Sequence, residues 1–229
     1  MAKHAMGTVE PAIDAARTAV PRTERGRQKA ARREQLLHAA ARLFAERGFR
    51  AVSIEDLGAA AGVSGPALYR HFAGKEAILA DLLVGVSRQL LQRGVAEATA
   101  GGTPRQTLER LVARHADFAL REPELIRIQD RDLTSLPARH ADAVRRLQRA
   151  YIDVWVSVLL ELDPSQGAAV ARTRAQAAFG LLNSTPHSAS HRDTEVTRQV
   201  LESMAMAGLV APAPALPQRP STGPSTSPV

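Results

Sequence analysis

The 229-residue chain is predicted to be all-α, with a small N-terminal three-helix unit carrying a helix-turn-helix and then a larger helical bundle, about nine helices in all. Three observations carry this. Apolar residues recur at three- and four-residue spacing through most of the chain, and no stretch alternates apolar and polar residues as a half-buried strand would. Ala, Leu, Arg and Glu, which tolerate the helix interior well, dominate those stretches. Gly, Pro, Ser, Thr and Asp fall between them, where caps and turns are needed.

Residues 1–25 show little apolar periodicity and read as a disordered segment. The first helix runs from about Arg32 to Arg47, with Leu36, Leu37, Ala40, Leu43 and Phe44 as its buried stripe and Gly48 as its stop. Ser53 with Asp56 three residues on starts a second helix, whose inner face is Ile54, Leu57 and Ala61. Gly62 ends it. Val63 plugs the junction, and Ser64 followed by Pro66 starts a third helix to about Phe72, burying Leu68 and Phe72. A fourth begins near Lys75 with Ile78, Leu79, Leu82, Leu83, Val86 and Leu90 inward, and Gly85 is its weak point. Gly101-Gly102-Thr103-Pro104 is a stop and restart. Leu108, Leu111, Val112, His115 and Phe118 mark the next helix to about Arg121. After Pro123 comes a short helix, and Pro137 opens a long one striped by Val144, Leu147, Tyr151, Val154, Trp155, Val158 and Leu162. Asp163-Pro164 is read as the cap and first residue of an Ala-rich helix to about Thr185, and a last helix covers about Thr194 to Ala207. Residues 211–229, rich in Pro, Ser and Thr, cannot bury enough apolar surface to offset ordering entropy and read as a disordered tail. The expected domains are therefore 26–80 and 81–210.

The most telling stretch is Ser53 to Lys75, SIEDLGAAAGVSGPALYRHFAGK. Its third helix exposes small residues first, then Tyr69, Arg70 and His71. Small residues let a backbone approach base edges, and the polar ones reach phosphates and guanine, so this face suits the DNA major groove. Arg22, Arg25, Arg27, Lys29, Arg32 and Arg33 lie just upstream, opposed only by Glu24. Alone they are a solvated charge run; before a helix-turn-helix they read as an arm that follows phosphates or enters the minor groove. The net charge of +7 favours polyanionic partners in the same way.

There is no cysteine, which removes disulfides, thiolate metal sites and cysteine nucleophiles. The longest apolar run, Val154 to Leu160, is broken by Ser157 and is far short of the roughly 18 residues that span a bilayer. No signal-peptide core is apparent, and the expected location is the cytoplasm, with no membrane partner.

Phe44-Ala45-Glu46-Arg47-Gly48-Phe49, Ser53-Ile54, Ala61-Gly62-Val63-Ser64, Leu68-Tyr69-Arg70-His71-Phe72 and Lys75-Glu76 together resemble the tetracycline-repressor (TetR) family over residues 33–85 without a gap. The resemblance implies a regulator that binds a palindromic operator in double-stranded DNA as a homodimer. It also implies C-terminal helices that bind a small-molecule effector and dimerise, usually through the last two. Carried over residue by residue, Ser53 and Ser64 would meet phosphates from helix N-termini. Gly65, Pro66 and Ala67 would face base edges. Tyr69 and His71 would bond or pack on the backbone, and Lys75 would pair with a phosphate. Arg70 either reads guanine or holds a phosphate, and Ala67, where many relatives carry a polar residue, leaves only apolar contact such as a thymine methyl.

The effector side is less legible. His115, Phe118, Arg127, Tyr151, Trp155, Phe179, Asn183 and His187 are candidates for a pocket, although the aromatic ones also fit plain core packing. Asn183 and His187 are spaced to share a helix face near Phe179, which would suit a ligand with one polar end. His187 and His191 have metal spacing, but Pro186 and Ser188-Ala189-Ser190 interrupt a helix there and no acidic residue completes a set, so no metal or other cofactor is expected. Arg127, Asp130, Arg131 and Asp132 read as a surface ion-pair group. No nucleophile elbow, phosphate loop or paired-carboxylate motif points to an enzyme. The reading is a ligand-responsive regulator, most simply a repressor released by a lipophilic or acyl-type effector. The alternatives are an effector-independent architectural DNA-binding protein and, more distantly, an enzyme on a helical scaffold.

Overall fold

The computed structural model describes residues 23–188 and 194–212, without the side chains of residues 187 and 188. The chain is all-helical, with no strand among the described residues. The elements are α1 (Glu24–Arg47), α2 (Ile54–Ala60), α3 (Gly65–Leu68), α4 (Lys75–Thr99), α5 (Pro104–Arg121), α6 (Pro123–Asp132), α7 (Ala138–Leu162), α8 (Ala168–Leu182), the single turn α9 (Thr185–Ser188) and α10 (Thr194–Val210). The segments expected to be disordered lie outside the described residues, apart from residues 23–25 and 211–212.

Helix α1 starts at Glu24, not near Arg32. The Thr23 hydroxyl accepts from the Gly26 amide, and Glu24 bonds Arg27 one turn on, so a polar segment with no apolar stripe is still helical. From residue 24 on, the basic run is therefore helical. Two of its arginines are used inside the protein. Arg32 donates to the Ala61 and Gly62 carbonyls at 3.1 and 3.2 Å, closing the turn after α2. Arg33 donates to the His71 carbonyl and the Asp81 carboxylate and lies 4.1 Å from the Phe72 ring centre.

The α2 start follows the sequence reading, with Ser53 and Asp56 forming a reciprocal capping box. Gly62 adopts φ +66, the left-handed conformation that a Cβ disfavours. Helix α3 is shorter than expected. It ends at Leu68, and Tyr69 to Phe72 continue as a tighter turn closed by three-residue bonds such as His71 N–H to Leu68 O at 2.9 Å. Ser64 precedes α3 but its hydroxyl makes no capping bond.

Asp163-Pro164 does not open α8. Pro164 to Gln166 form one 3₁₀ turn because the buried Gln166 amide folds back to donate to the Leu159 carbonyl, at 2.6 Å, closing the end of α7. Gly167, at φ +74, then redirects the chain into α8. Asn183 ends α8, so Asn183 and His187 do not share a helix face, and the His187 side chain lies outside the described residues.

Two apolar clusters fill the interior. One joins α1–α4 to Ile128 of α6, to Leu136 just before α7 and to Ala141 and Val144 in its first turns. The other joins α5, α7, α8 and α10 around Trp155. Gly85 sits inside α4, where an added Cβ would meet nothing within 4 Å. Gly85→Ala should therefore raise stability by about 1 kcal/mol, by helix propensity alone. Urea unfolding checks this, and an unchanged or lower stability would count against open space at that position.

Candidate nucleic-acid interface and ligand cavity

The DNA candidates divide by what their side chains already bind. Ser64, Pro66, Tyr69 and Arg70 are exposed on one face, Gly65 and Ala67 are half-buried beside them, and Leu68 and Phe72 anchor the face to the core. Tyr69 is 58% exposed, with its ring and hydroxyl open to a partner. His71 is half-buried, and its Nδ1 is buried without a partner. Burial, then Lys29, Arg33, Arg32 and Arg70, push the His71 imidazole below its ordinary pKa. Four cations converging on one ring mark a strongly positive local potential, which suits a polyanion.

Two candidates are also engaged within the protein. The Lys75 ammonium donates to the carbonyls of Phe49, Arg50 and Val52 at 3.2, 3.4 and 3.1 Å and lies 4.7 Å from the Phe49 ring centre. An ammonium has three donors, and here they tie the start of α4 to the α1–α2 connection. The Ser53 hydroxyl accepts from the Asp56 amide and donates to the Asp56 carboxylate at 2.7 Å. The Ser53 amide and hydroxyl, with Arg47 nearby, hold that carboxyl below the ordinary carboxylate range. This serine caps α2 through both its hydroxyl and its amide.

In the bundle, a cavity of about 190 Å³ is walled by α4, α5, α6, α7 and the end of α8. Five of the predicted pocket residues line it: His115, Phe118, Tyr151, Phe179 and Asn183. Trp155 does not; it is fully buried behind Phe179, with ring centres 4.7 Å apart. Arg127 is directed elsewhere, donating to the Pro186 carbonyl at 2.7 Å. Sequence reasoning missed Ser87, Leu90, Leu125, Ile126, Gln129, Gln148 and Ile152. They sit at the edges of apolar stripes, where nothing in the periodicity distinguishes a wall from a surface. Gly94 leaves room for the Tyr151 ring, since a Cβ there would stand 2.5 Å from Tyr151 Cε2.

A hydrogen-bonded chain crosses the cavity wall. His115 Nε2–H donates to Asn183 Oδ1 at 3.0 Å, and the Tyr151 hydroxyl reaches His115 Nδ1 at 3.4 Å. Burial pushes the His115 imidazole down to about 4, partly offset by the Asn183 bond, and pushes the Tyr151 phenol well up. Both groups are neutral near pH 7.

Helix α6 reaches both regions. Its Ile126 and Gln129 line the cavity, while Arg131 donates to the Phe44 and Ala45 carbonyls at the end of α1. Asp132, 5% exposed, pairs with Arg131 at 3.0 Å and accepts from the Phe49 amide at 3.4 Å. Arg131 and Asp132 are thus an ion pair, as expected, but one that also ties α6 to the end of α1 and to Phe49.

A helix-turn-helix with an exposed small-then-polar face, carried on a helical bundle with its own cavity, defines a DNA-binding transcriptional regulator. The chain belongs to the TetR family: residues 36–82 match the model of bacterial regulatory proteins of the tetR family, and residues 101–187 match a tetracyclin repressor-like C-terminal domain. It is 30% identical to the HTH-type transcriptional repressor KstR2 of Rhodococcus jostii over 158 residues, 69% of this chain and 77% of that protein. Among solved structures, a TetR-family regulator from Bordetella parapertussis superposes with a TM-score of 0.71 at 24% identity, covering 78% of this chain and 94% of that one. The regulator FadR from Bacillus subtilis, solved in complex with stearoyl-CoA, superposes with a TM-score of 0.61 at 19% identity, covering 78% and 97%. No helix among the described residues is long and apolar enough to cross a membrane, and none of them form a group of three metal-ligating side chains.

Proposed function

We propose that this chain is a ligand-responsive repressor that binds a palindromic operator as a homodimer and is released by a small lipophilic or acyl-type effector. The observation that carries the reading is the double attachment of α6, which walls the cavity at one end and holds α1 at the other. A ligand that fits a different α6 position better than the DNA-bound one shifts the head, with α4 moving alongside, and operator DNA weakens its binding by the same factor. The cavity favours this reading over an effector-independent architectural protein. FadR supports the acyl class by its bound stearoyl-CoA.

Gly65, Pro66 and Ala67 face base edges, Ser64 and Tyr69 meet phosphates, and Arg70 meets a base or a phosphate. The second protomer joins through α8 and α10, where Ala177, Ala178, Leu181, Met204 and Gly208 line an apolar groove and Val196, Val200 and Met204 are exposed. One recognition helix makes too few base contacts for a repressor, and two-fold symmetry doubles them. Light scattering with and without DNA tests the dimer; a strictly monomeric repressor would overturn it.

With an operator selected from random-sequence DNA, Tyr69→Ala should weaken binding about tenfold while stability stays within about 0.5 kcal/mol, because the ring is exposed. Arg70→Ala is the contrast. Loss of discrimination at one base pair by about 1–3 kcal/mol assigns it to a base; a salt slope reduced by about one assigns it to a phosphate. Wild-type affinity in Tyr69→Ala would remove this face from the interface.

A further inference from the structure

The cavity wall is polar at several points and charged at none. Its lining contains no Lys, Arg, Asp or Glu, and its one imidazole is buried and held in the neutral form. A carboxylate or phosphate brought inside would give up part of its hydration and meet no counter-charge, which is unfavourable. The volume of about 190 Å³ is also small. A cavity of about 150 Å³ holds benzene, so one ring or a short branched chain of about eight heavy atoms fills a space of this size.

The hydrogen bonds then set the sense of recognition. Asn183 spends its carbonyl oxygen on the His115 N–H, and its amide N–H₂ has no partner among the described residues. His115 is itself held by the Tyr151 hydroxyl on the far side. The chain therefore fixes which way the Asn183 amide faces and leaves donors for a guest. The Gln129 and Gln148 amides, also in the lining, have no partner among the described residues either.

On the reading of this cavity as the effector site, we propose that the buried part of the effector is compact and uncharged and carries a carbonyl oxygen, a ketone or a short acyl group, with Asn183, oriented by His115, as the residue that selects for it. Any ionic portion of the molecule stays outside the cavity. A long straight acyl chain could not lie wholly inside this volume, and the uncharged lining offers a free carboxylate no counter-charge.

Three compounds of equal size test this: cyclohexyl methyl ketone, isopropylcyclohexane and cyclohexanecarboxylate. They differ only in offering an uncharged acceptor, no acceptor or a charged one. Binding is followed by fluorescence of Trp155, the only tryptophan, and by release of a selected operator, with stearoyl-CoA as a fourth probe. The ketone should bind about tenfold tighter than either isostere, the advantage of one satisfied hydrogen bond in a water-poor site. Asn183→Leu should bring the ketone down to the hydrocarbon's affinity and leave the hydrocarbon within about twofold, which a merely structural role for Asn183 would not do. Tightest binding by the carboxylate, or equal weakening of all three by Asn183→Leu, would overturn the proposal. If stearoyl-CoA releases the operator and the compact probes do not, the effector reading stands and this class assignment falls. If none of the four binds or alters operator affinity, both fall.

Discussion

Gly58→Val is expected to drive operator affinity down toward the non-specific level, a loss on the order of 1,000-fold, and to cost about 3 kcal/mol of stability. Gly58 lies in α2, facing the turn that launches α3. A single Cβ there would stand 2.8 Å from the Val63 carbonyl oxygen, 3.0 Å from the Gly65 amide nitrogen and 3.2 Å from the Ser64 carbonyl carbon. All three are backbone atoms, so no flexible side-chain end can swing aside; the turn itself must open. Valine adds two further methyl groups in the same direction and has few rotamers with which to avoid the contact. Because α3 begins at Gly65, the displacement passes directly to the face proposed to read bases. Operator titration with urea unfolding of the same protein checks both halves. Full operator affinity in Gly58→Val would mean that this turn does not position α3.

The second large effect is acid sensitivity traced to one side chain. His115 is fully buried and its pKa is pushed from 6.5 to about 4. Unfolded, the imidazole takes up a proton near 6.5; folded, it resists until about 4. The unfolded state therefore binds more protons across that window. The stability that rests on a neutral His115 is complete above pH 6.5, is lost as the pH falls toward 4, and changes no further below it. The interval is worth on the order of 3 kcal/mol. His115→Gln, which keeps a neutral amide at the site, should flatten the stability profile between pH 6.5 and 4 by about that amount. Parallel profiles for the two proteins would show that His115 is not the group responsible.

What the sequence made legible was local. Capping at Ser53, the left-handed stop at Gly62 and the apolar anchors Leu68 and Phe72 are each set by neighbours within four residues, so the DNA-reading unit could be placed from its letters. The start of α1 was missed because the helix between Glu24 and Ala31 rests on a cap and an ion pair and carries no apolar stripe. The tasks of Arg33, Lys75 and Arg131 were illegible for a different reason. Each reaches a carbonyl between 23 and 87 residues away, and a basic side chain looks the same in sequence whether it meets a phosphate or a peptide oxygen. In the cavity, the aromatic walls stood out by type, but Gln129, Gln148 and Ser87 did not. Their significance lies in facing inward between helices that are far apart in the chain.

The apolar cluster that runs from α1–α4 into α6 and the first turns of α7 bears on engineering. A transplant of residues 26–80 alone onto another bundle would leave behind Ile128, Leu136 and Val144, which complete its interior, and the Arg131–Asp132 clasp that closes α1. The head is not a detachable cartridge. Exchanging DNA specificity between such regulators is better done by replacing the exposed side chains from Ser64 to Arg70 in place. A working graft of the whole unit would have to carry α6 and the start of α7 with it, although some 40 residues of bundle separate them from the head in sequence.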